Sequence, residues 1–106
     1  MLASFSIVPL GVGEELKQYI AGLVSILEES KLSFQMGAMQ TTLEGDADRV
    51  MDTILRCHRH MRTVAPRVLT TITLDDRAGA EGRLTGKVKD VESVLGRSLD
   101  QRTRNS

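Results

Sequence analysis

The sequence predicts an α+β sandwich: strands and helices in the order βαββαβ, then an additional C-terminal helix, on a four-stranded antiparallel sheet. Three observations predict it. Short segments alternate apolar and polar residues with the two-residue period of a strand. Longer segments between them repeat aliphatic residues at spacings of three and four, as a helix packed on one side requires. Gly11-Val12-Gly13, Gly45-Asp46 and Pro66 punctuate the two kinds of segment.

The first strand runs from Leu2 to Leu10. Side chains on a strand point alternately to opposite faces, so Ala3, Phe5, Ile7 and Pro9 share an apolar face. Leu2, Ser4, Ser6 and Val8 share the other, where two hydroxyls lie among aliphatic groups. Glu14 to Ser30 reads as a helix, with Leu16, Ile20, Leu23 and Leu27 on one stripe. Glu14 and Glu15 fall in its first turn, where negative charge complements the helix dipole. Leu32 to Ala38 and Gln40 to Glu44 read as two short strands joined near Gly37.

Asp46 is placed to cap a second helix, Ala47 to Val64, whose stripe is Val50, Ile54, Cys57 and Met61. Pro66 stops it, because proline lacks the N–H a helix needs. Arg67 to Asp75 is the last strand, alternating Val68, Thr70, Ile72 and Leu74 against Leu69, Thr71 and Thr73. After a loop over Ala78 to Gly82, Leu84, Val88, Val91 and Leu95 mark a final helix from Leu84 to Leu95. Residues 1–96 form a single domain, and 97–106 a polar, locally basic tail.

Two strand-helix-strand halves make the split βαβ, or ferredoxin-like, arrangement, in which helices cover one sheet face and leave the other open. An open face carrying Leu2, Val8 and Leu69 is expected to be covered, by self-association into a dimer or tetramer. The alternative is that the terminal helix folds over it.

Composition narrows the function. With 14 basic and 14 acidic residues, the chain has no general attraction for nucleic acid. Its few aromatics, Phe5, Tyr19 and Phe34, provide no platform for stacking bases. No apolar run is long enough to cross a bilayer, so no membrane partner is expected. One cysteine, and a start without a basic and long apolar leader, fit a cytoplasmic protein.

Candidate chemistry is sparse. Cys57 and His58 are neighbours about 100° apart on a helix, so they form no nucleophile-base pair. Cys57 lies on the apolar stripe, while His58 is placed to border a pocket or to stand partly exposed. His58 and His60 have no second cysteine or compact carboxylate cluster to complete a metal shell. Gly11-Val12-Gly13 lacks the third glycine of a dinucleotide loop and the Lys-Ser/Thr of a phosphate loop. It is read as a tight turn. Asp75 and Asp76 face opposite sides, with Arg77 beside them, so they need not share a site.

What remains is neutral and polar. Ser4 and Ser6 from the central first strand, Thr41 or Thr42 from the third and Thr71 or Thr73 from the fourth can converge on one face. Such hydroxyls orient a heteroaromatic ligand, and nothing among them activates a nucleophile.

Phe5 to Gly11 (FSIVPLG), Ile26 to Ser30 (ILEES), Met39 to Gly45 (MQTTLEG), Cys57-His58 and Arg67 to Arg77 (RVLTTITLDDR) resemble, in this order, a small thiamine-binding protein family related to YkoF-like domains. The resemblance covers the chain to about Leu95. It implies a ferredoxin-like fold, homo-oligomers made by packing sheets, and non-enzymatic binding of thiamine or its hydroxymethylpyrimidine moiety, without a catalytic cofactor. Such a protein would buffer, sense or deliver the vitamin; the competing reading is a structural or regulatory oligomeric module without a ligand. Matched residue by residue, it implies hydrogen bonding by Ser6, Thr41 and Thr71 and an apolar wall at Met39. Glu44 is implied as a partner for an aminopyrimidine or a thiazolium charge. Lys31 and Gln40 depart from the pattern, each standing where glycine is expected. Gln40 either narrows the pocket or adds a hydrogen-bonding amide.

Overall fold

The central strand of the sheet is the first one, and its length exceeds that of one of its two neighbours. In a computed structural model that describes residues 1–13, 17–79 and 83–96, by their backbone alone at 83–88, the elements are β1 (Leu2–Leu10), α1 (Lys17–Glu29), β2 (Ser33–Met36), β3 (Thr41–Glu44), α2 (Ala47–Arg62), β4 (Arg67–Asp75) and α3 (Arg83–Leu95). The sheet is four-stranded with the order β2-β3-β1-β4, and every neighbouring pair is antiparallel. This is the α+β arrangement expected. Glu14 to Leu16, the loop residues 80–82 and the tail 97–106 lie outside the described residues, as do the side chains of Leu84 and Val88.

The face of β1 that carries Ala3 and Phe5 is fully covered. Leu23 and Leu27 from α1 and the whole α2 stripe of Val50, Ile54, Cys57 and Met61 close over it, together with Leu43 of β3. Asp46 caps α2, its carboxylate accepting from the Arg49 N–H at 3.3 Å. The helix ends at Arg62, two residues before the expected boundary at Val64. There the N–H groups of Val64 and Ala65 both donate to the Met61 carbonyl, tightening the exit before Pro66.

Three differences from the expected elements stand out, and the first two have physical causes. The hairpin strands are shorter than 32–38 and 40–44, because the Gly37 N–H donates to the Gln40 carbonyl at 2.8 Å and the chain reverses at Ala38-Met39. Ile20, expected on the buried stripe of α1, is 42% exposed because β3 does not extend beneath it. Val91 and Leu95 of α3 are also nearly half exposed, although α3 contacts β3 and β2.

On the other face Val8 pairs with Leu69, and both remain about half exposed, so α3 leaves that end of the open face uncovered. Left-handed backbone closes the turns after β1 and after α1. Gly11 has φ 82 and packs on Pro66, while Lys31 closes α1 with φ 63, at the position where the resemblance anticipated glycine.

Candidate functional site

Register decides which hydroxyls meet. Ser4 pairs with Thr42 on β3 and Thr73 on β4, and Ser6 pairs with Thr71. Paired residues project to the same face, so Ser4, Ser6, Thr42, Thr71 and Thr73 share the open face. Thr41 does not join them. It pairs with Phe5, which places it on the helix-covered face, where it is 9% exposed. The expected convergence of Ser6, Thr41 and Thr71 on one face is therefore corrected: Thr42 takes the place of Thr41 there. The Ser4 hydroxyl oxygen is buried and has no hydrogen-bond partner among the described residues.

Ser6 and Thr41 nevertheless meet at a cavity. β1 pairs with β3 only from Leu2 to Phe5, whereas it pairs with β4 along its full length to Leu10. Beyond Phe5, β1 is an edge on the β3 side. Pro9 fits there, since a residue without an N–H cannot contribute to a ladder. The missing continuation of β3 leaves a notch of about 260 Å³.

Phe5, Ser6, Ile7 and Val8 form one wall of the notch, Ile20 and Leu23 of α1 form a second, and the hairpin from Met36 to Thr41 forms the third. Four successive strand residues can line one cavity only along their main-chain edge, because their side chains alternate. The notch thus opens through the sheet margin, with the Ser6 side reaching the open face and the Thr41 side reaching the helix layer.

Of the residues expected at a ligand, Ser6, Met39 and Thr41 line this notch. Met39 stands at the hairpin tip, 88% exposed, and Gln40 lines the same rim. Thr71 lies beside Ser6 on the open face but outside the notch. Glu44 is at the other end of β3, paired with Leu2 and Ser33, and is also outside it. Sequence reasoning missed the contribution of Ile20 and of the β1 main chain. Pro9 was the available signal, a proline inside what otherwise reads as a central strand.

A second cavity, about 380 Å³, lies on the opposite margin between α2 and β4. Met51, Ile54, Leu55 and Ile72 make it strongly apolar, and His58 Nδ1 lies 2.6 Å from the Thr70 hydroxyl at its wall. His58 thus borders a pocket, though not the one that holds the expected ligand residues.

Nucleophilic and metal chemistry have little to work with. Cys57 is completely buried, and burial pushes its thiol up to about 11, outweighing the opposing pull of Arg56. It is protonated at neutral pH and inaccessible. Among the described residues no group of three or more His, Cys, Asp or Glu side chains could hold a metal ion, and no helix is long and apolar enough to cross a membrane.

Residues 3–92 match a family described as thiamine-binding protein. A UPF0045 protein of Mycobacterium bovis is 37% identical over 96 residues, spanning 90% of this chain and 94% of its own. One from Synechocystis is 33% identical over 96 residues, spanning 90% of this chain and 79% of its own. Among solved structures, a hypothetical protein from Methanocaldococcus jannaschii superposes with a TM-score of 0.77 at 28% identity, covering 85% of this chain and 93% of that one. A Thermotoga maritima protein provisionally named for thiamine biosynthesis or salvage gives a TM-score of 0.73 over 85% of this chain and 96% of its own. At 22% identity, this last likeness speaks for the fold alone.

Proposed function

The chain belongs to the thiamine-binding protein family, and on that footing we propose that it binds thiamine or its hydroxymethylpyrimidine moiety without catalysing a reaction. It works as a homo-oligomer that buffers, senses or delivers the vitamin. The notch at the end of β3 carries this reading. Its 260 Å³ falls just below the range of about 300–1,000 Å³ usual for ligand pockets, a size for one heteroaromatic ring rather than a large molecule. Ile20, Leu23, Met36 and Met39 offer apolar walls, and Ser6 and Thr41 offer hydroxyls at opposite ends. Thr71, next to Ser6, extends the polar surface along the open face. Glu44 enters only as a charge partner at the far end of β3.

Absence of catalysis is supported by the lining itself. Among the described residues, no Asp, Glu, His, Lys, Arg or Cys contributes to the notch wall, which offers a ligand hydroxyls and apolar contacts. Self-association is supported by the Val8–Leu69 pair, half exposed on the open face.

Thermal unfolding with thiamine, with hydroxymethylpyrimidine and without either tests the ligand. A ligand at 100 times its Kd stabilises by about 2.7 kcal/mol, which is read as a rise in Tm. Unchanged melting with both compounds at millimolar concentration would overturn the binding reading and leave the ligand-free oligomeric module in its place.

A further inference from the structure

We propose that the notch reads its ligand mainly through the backbone of β1: the Ile7 N–H and C=O, unpaired where β3 stops, take the amino-pyrimidine edge of the ligand as a surrogate strand. This deepens the function proposed above and rests on it. The parity of the ladder carries the inference. The Met1 amino group donates to the Gly45 carbonyl at 2.9 Å, and the Gly45 N–H donates back to the Met1 carbonyl at 3.1 Å. Reciprocal bonds of this kind mark a hydrogen-bonded pair, and such pairs recur at every second residue. Met1, Ala3, Phe5 and Ile7 therefore turn their N–H and C=O toward β3, and the intervening residues turn theirs toward β4.

For the first three the partners exist: Gly45, Leu43 and Thr41. Continuing the register, the residue opposite Ile7 is Met39. But the chain reverses at Ala38-Met39, and the ladder closes at Thr41. No backbone bond from Ile7 into this hairpin tip is made among the described residues. Ile7 itself lines the notch, between the hydroxyl-bearing Ser6 and the aliphatic Val8.

The chemistry of the site then selects the occupant. One N–H and one C=O from the same extended residue lie side by side and point the same way. A ring nitrogen next to an exocyclic amino group presents the complement, an acceptor beside a donor. The amino-pyrimidine half of thiamine has this edge, and its thiazolium half does not. A peptide strand is a poorer match, because the next residue of the same parity, Pro9, has no N–H and the unpaired stretch supports a single reciprocal pair. Buried backbone groups are almost always paired, so a ring that fills the notch must satisfy them or be disfavoured.

The test is amide NMR of the ¹⁵N-labelled full chain with four probes: thiamine, hydroxymethylpyrimidine, its analogue without the 4-amino group, and the isolated thiazole. The expected result is that thiamine and hydroxymethylpyrimidine shift the Ile7 amide and slow its hydrogen exchange. The deamino analogue should bind at least tenfold more weakly, and the thiazole should leave Ile7 unmoved. Ile7→Pro, which deletes the N–H, should lose at least tenfold with its circular dichroism unchanged; if that variant does not fold, the Ile7 amide in the native chain decides. Thiamine binding with an unmoved Ile7 amide, or equal affinity for the deamino analogue, would overturn the backbone reading while sparing thiamine binding. Failure of both thiamine and hydroxymethylpyrimidine to bind removes the functional reading and this one with it. An extended peptide that shifts Ile7 and displaces thiamine would overturn the choice of occupant.

Discussion

The Cβ that Gly11 lacks would stand 2.7 Å from Pro66 Cγ, so the turn after β1 and the exit from α2 meet at backbone distance. Gly11 also has φ 82, a conformation that a side chain disfavours by about 1–2 kcal/mol. The proline ring cannot swing aside as a flexible side chain would. Gly11→Ala should therefore lower stability by about 2–4 kcal/mol, combining backbone strain with overpacking. Urea unfolding followed by circular dichroism checks it; a loss below half a kcal/mol would mean the turn rearranges freely.

Lys31 poses the opposite case. Its φ of 63 closes α1 with a residue other than glycine. Glycine removes the left-handed penalty but adds freedom to the unfolded chain, so the two effects partly cancel. Lys31→Gly should raise stability by about 0.5–1 kcal/mol. The urea midpoint is again the measurement, and a fall would show that the Lys31 side chain makes a contribution larger than its backbone costs.

Cys57 gives a pH dependence with a definite sign. Burial pushes its folded pKa up to about 11, above the ordinary 9.0, so between these values the folded state holds more protons than the unfolded state. The contribution to stability is fully present below pH 9 and is lost as pH rises through 11. Urea midpoints for the native chain should fall over that window by more than those for Cys57→Ala. Equal slopes would refute the assignment. Native protein should likewise react slowly with a thiol reagent at pH 8 and rapidly once unfolded.

The bond between His58 Nδ1 and Thr70 Oγ1, 2.6 Å long, joins α2 to the edge strand β4. Thr70→Val keeps the shape and deletes the partner. A half-buried ring nitrogen left unpaired should cost about 1–2 kcal/mol in chemical unfolding. His58→Ala combined with Thr70→Val should cost less than the sum of the single changes, since the second loss has no bond to break.

Leu69→Arg tests self-association away from the notch. Leu69 is 48% exposed, pairs with Val8 on the open face and does not line the ligand cavity. The variant should elute as a smaller species on size-exclusion chromatography while melting like the parent at equal monomer content. Ser6→Arg, on the same face, should do likewise and also block the notch. Unchanged elution by both would place the subunit contact elsewhere.

The order of elements and the inward set of each were legible in the sequence, because hydrophobic period is a local property. Ala3 and Phe5 had to face the core, and Val50, Ile54, Cys57 and Met61 had to form one stripe, whatever their neighbours did. Ser6, Met39 and Thr41 stand out in the sequence through the family resemblance, and all three line one notch. Alternation within a strand says nothing about its phase against the next strand. That is why Thr41 and Thr42 were interchangeable in sequence and are opposite in space. The reciprocal Met1–Gly45 bonds set that phase, and the reversal at Ala38-Met39 set where β3 stops. The first depends on residues some forty positions apart meeting across the sheet, and the second, a local turn, limits β1 only because that meeting sets its place beside the strand. By itself, then, the sequence determined the layers and their cores; only the tertiary structure decided that β1 outruns β3, and so left Ile7 facing an open notch.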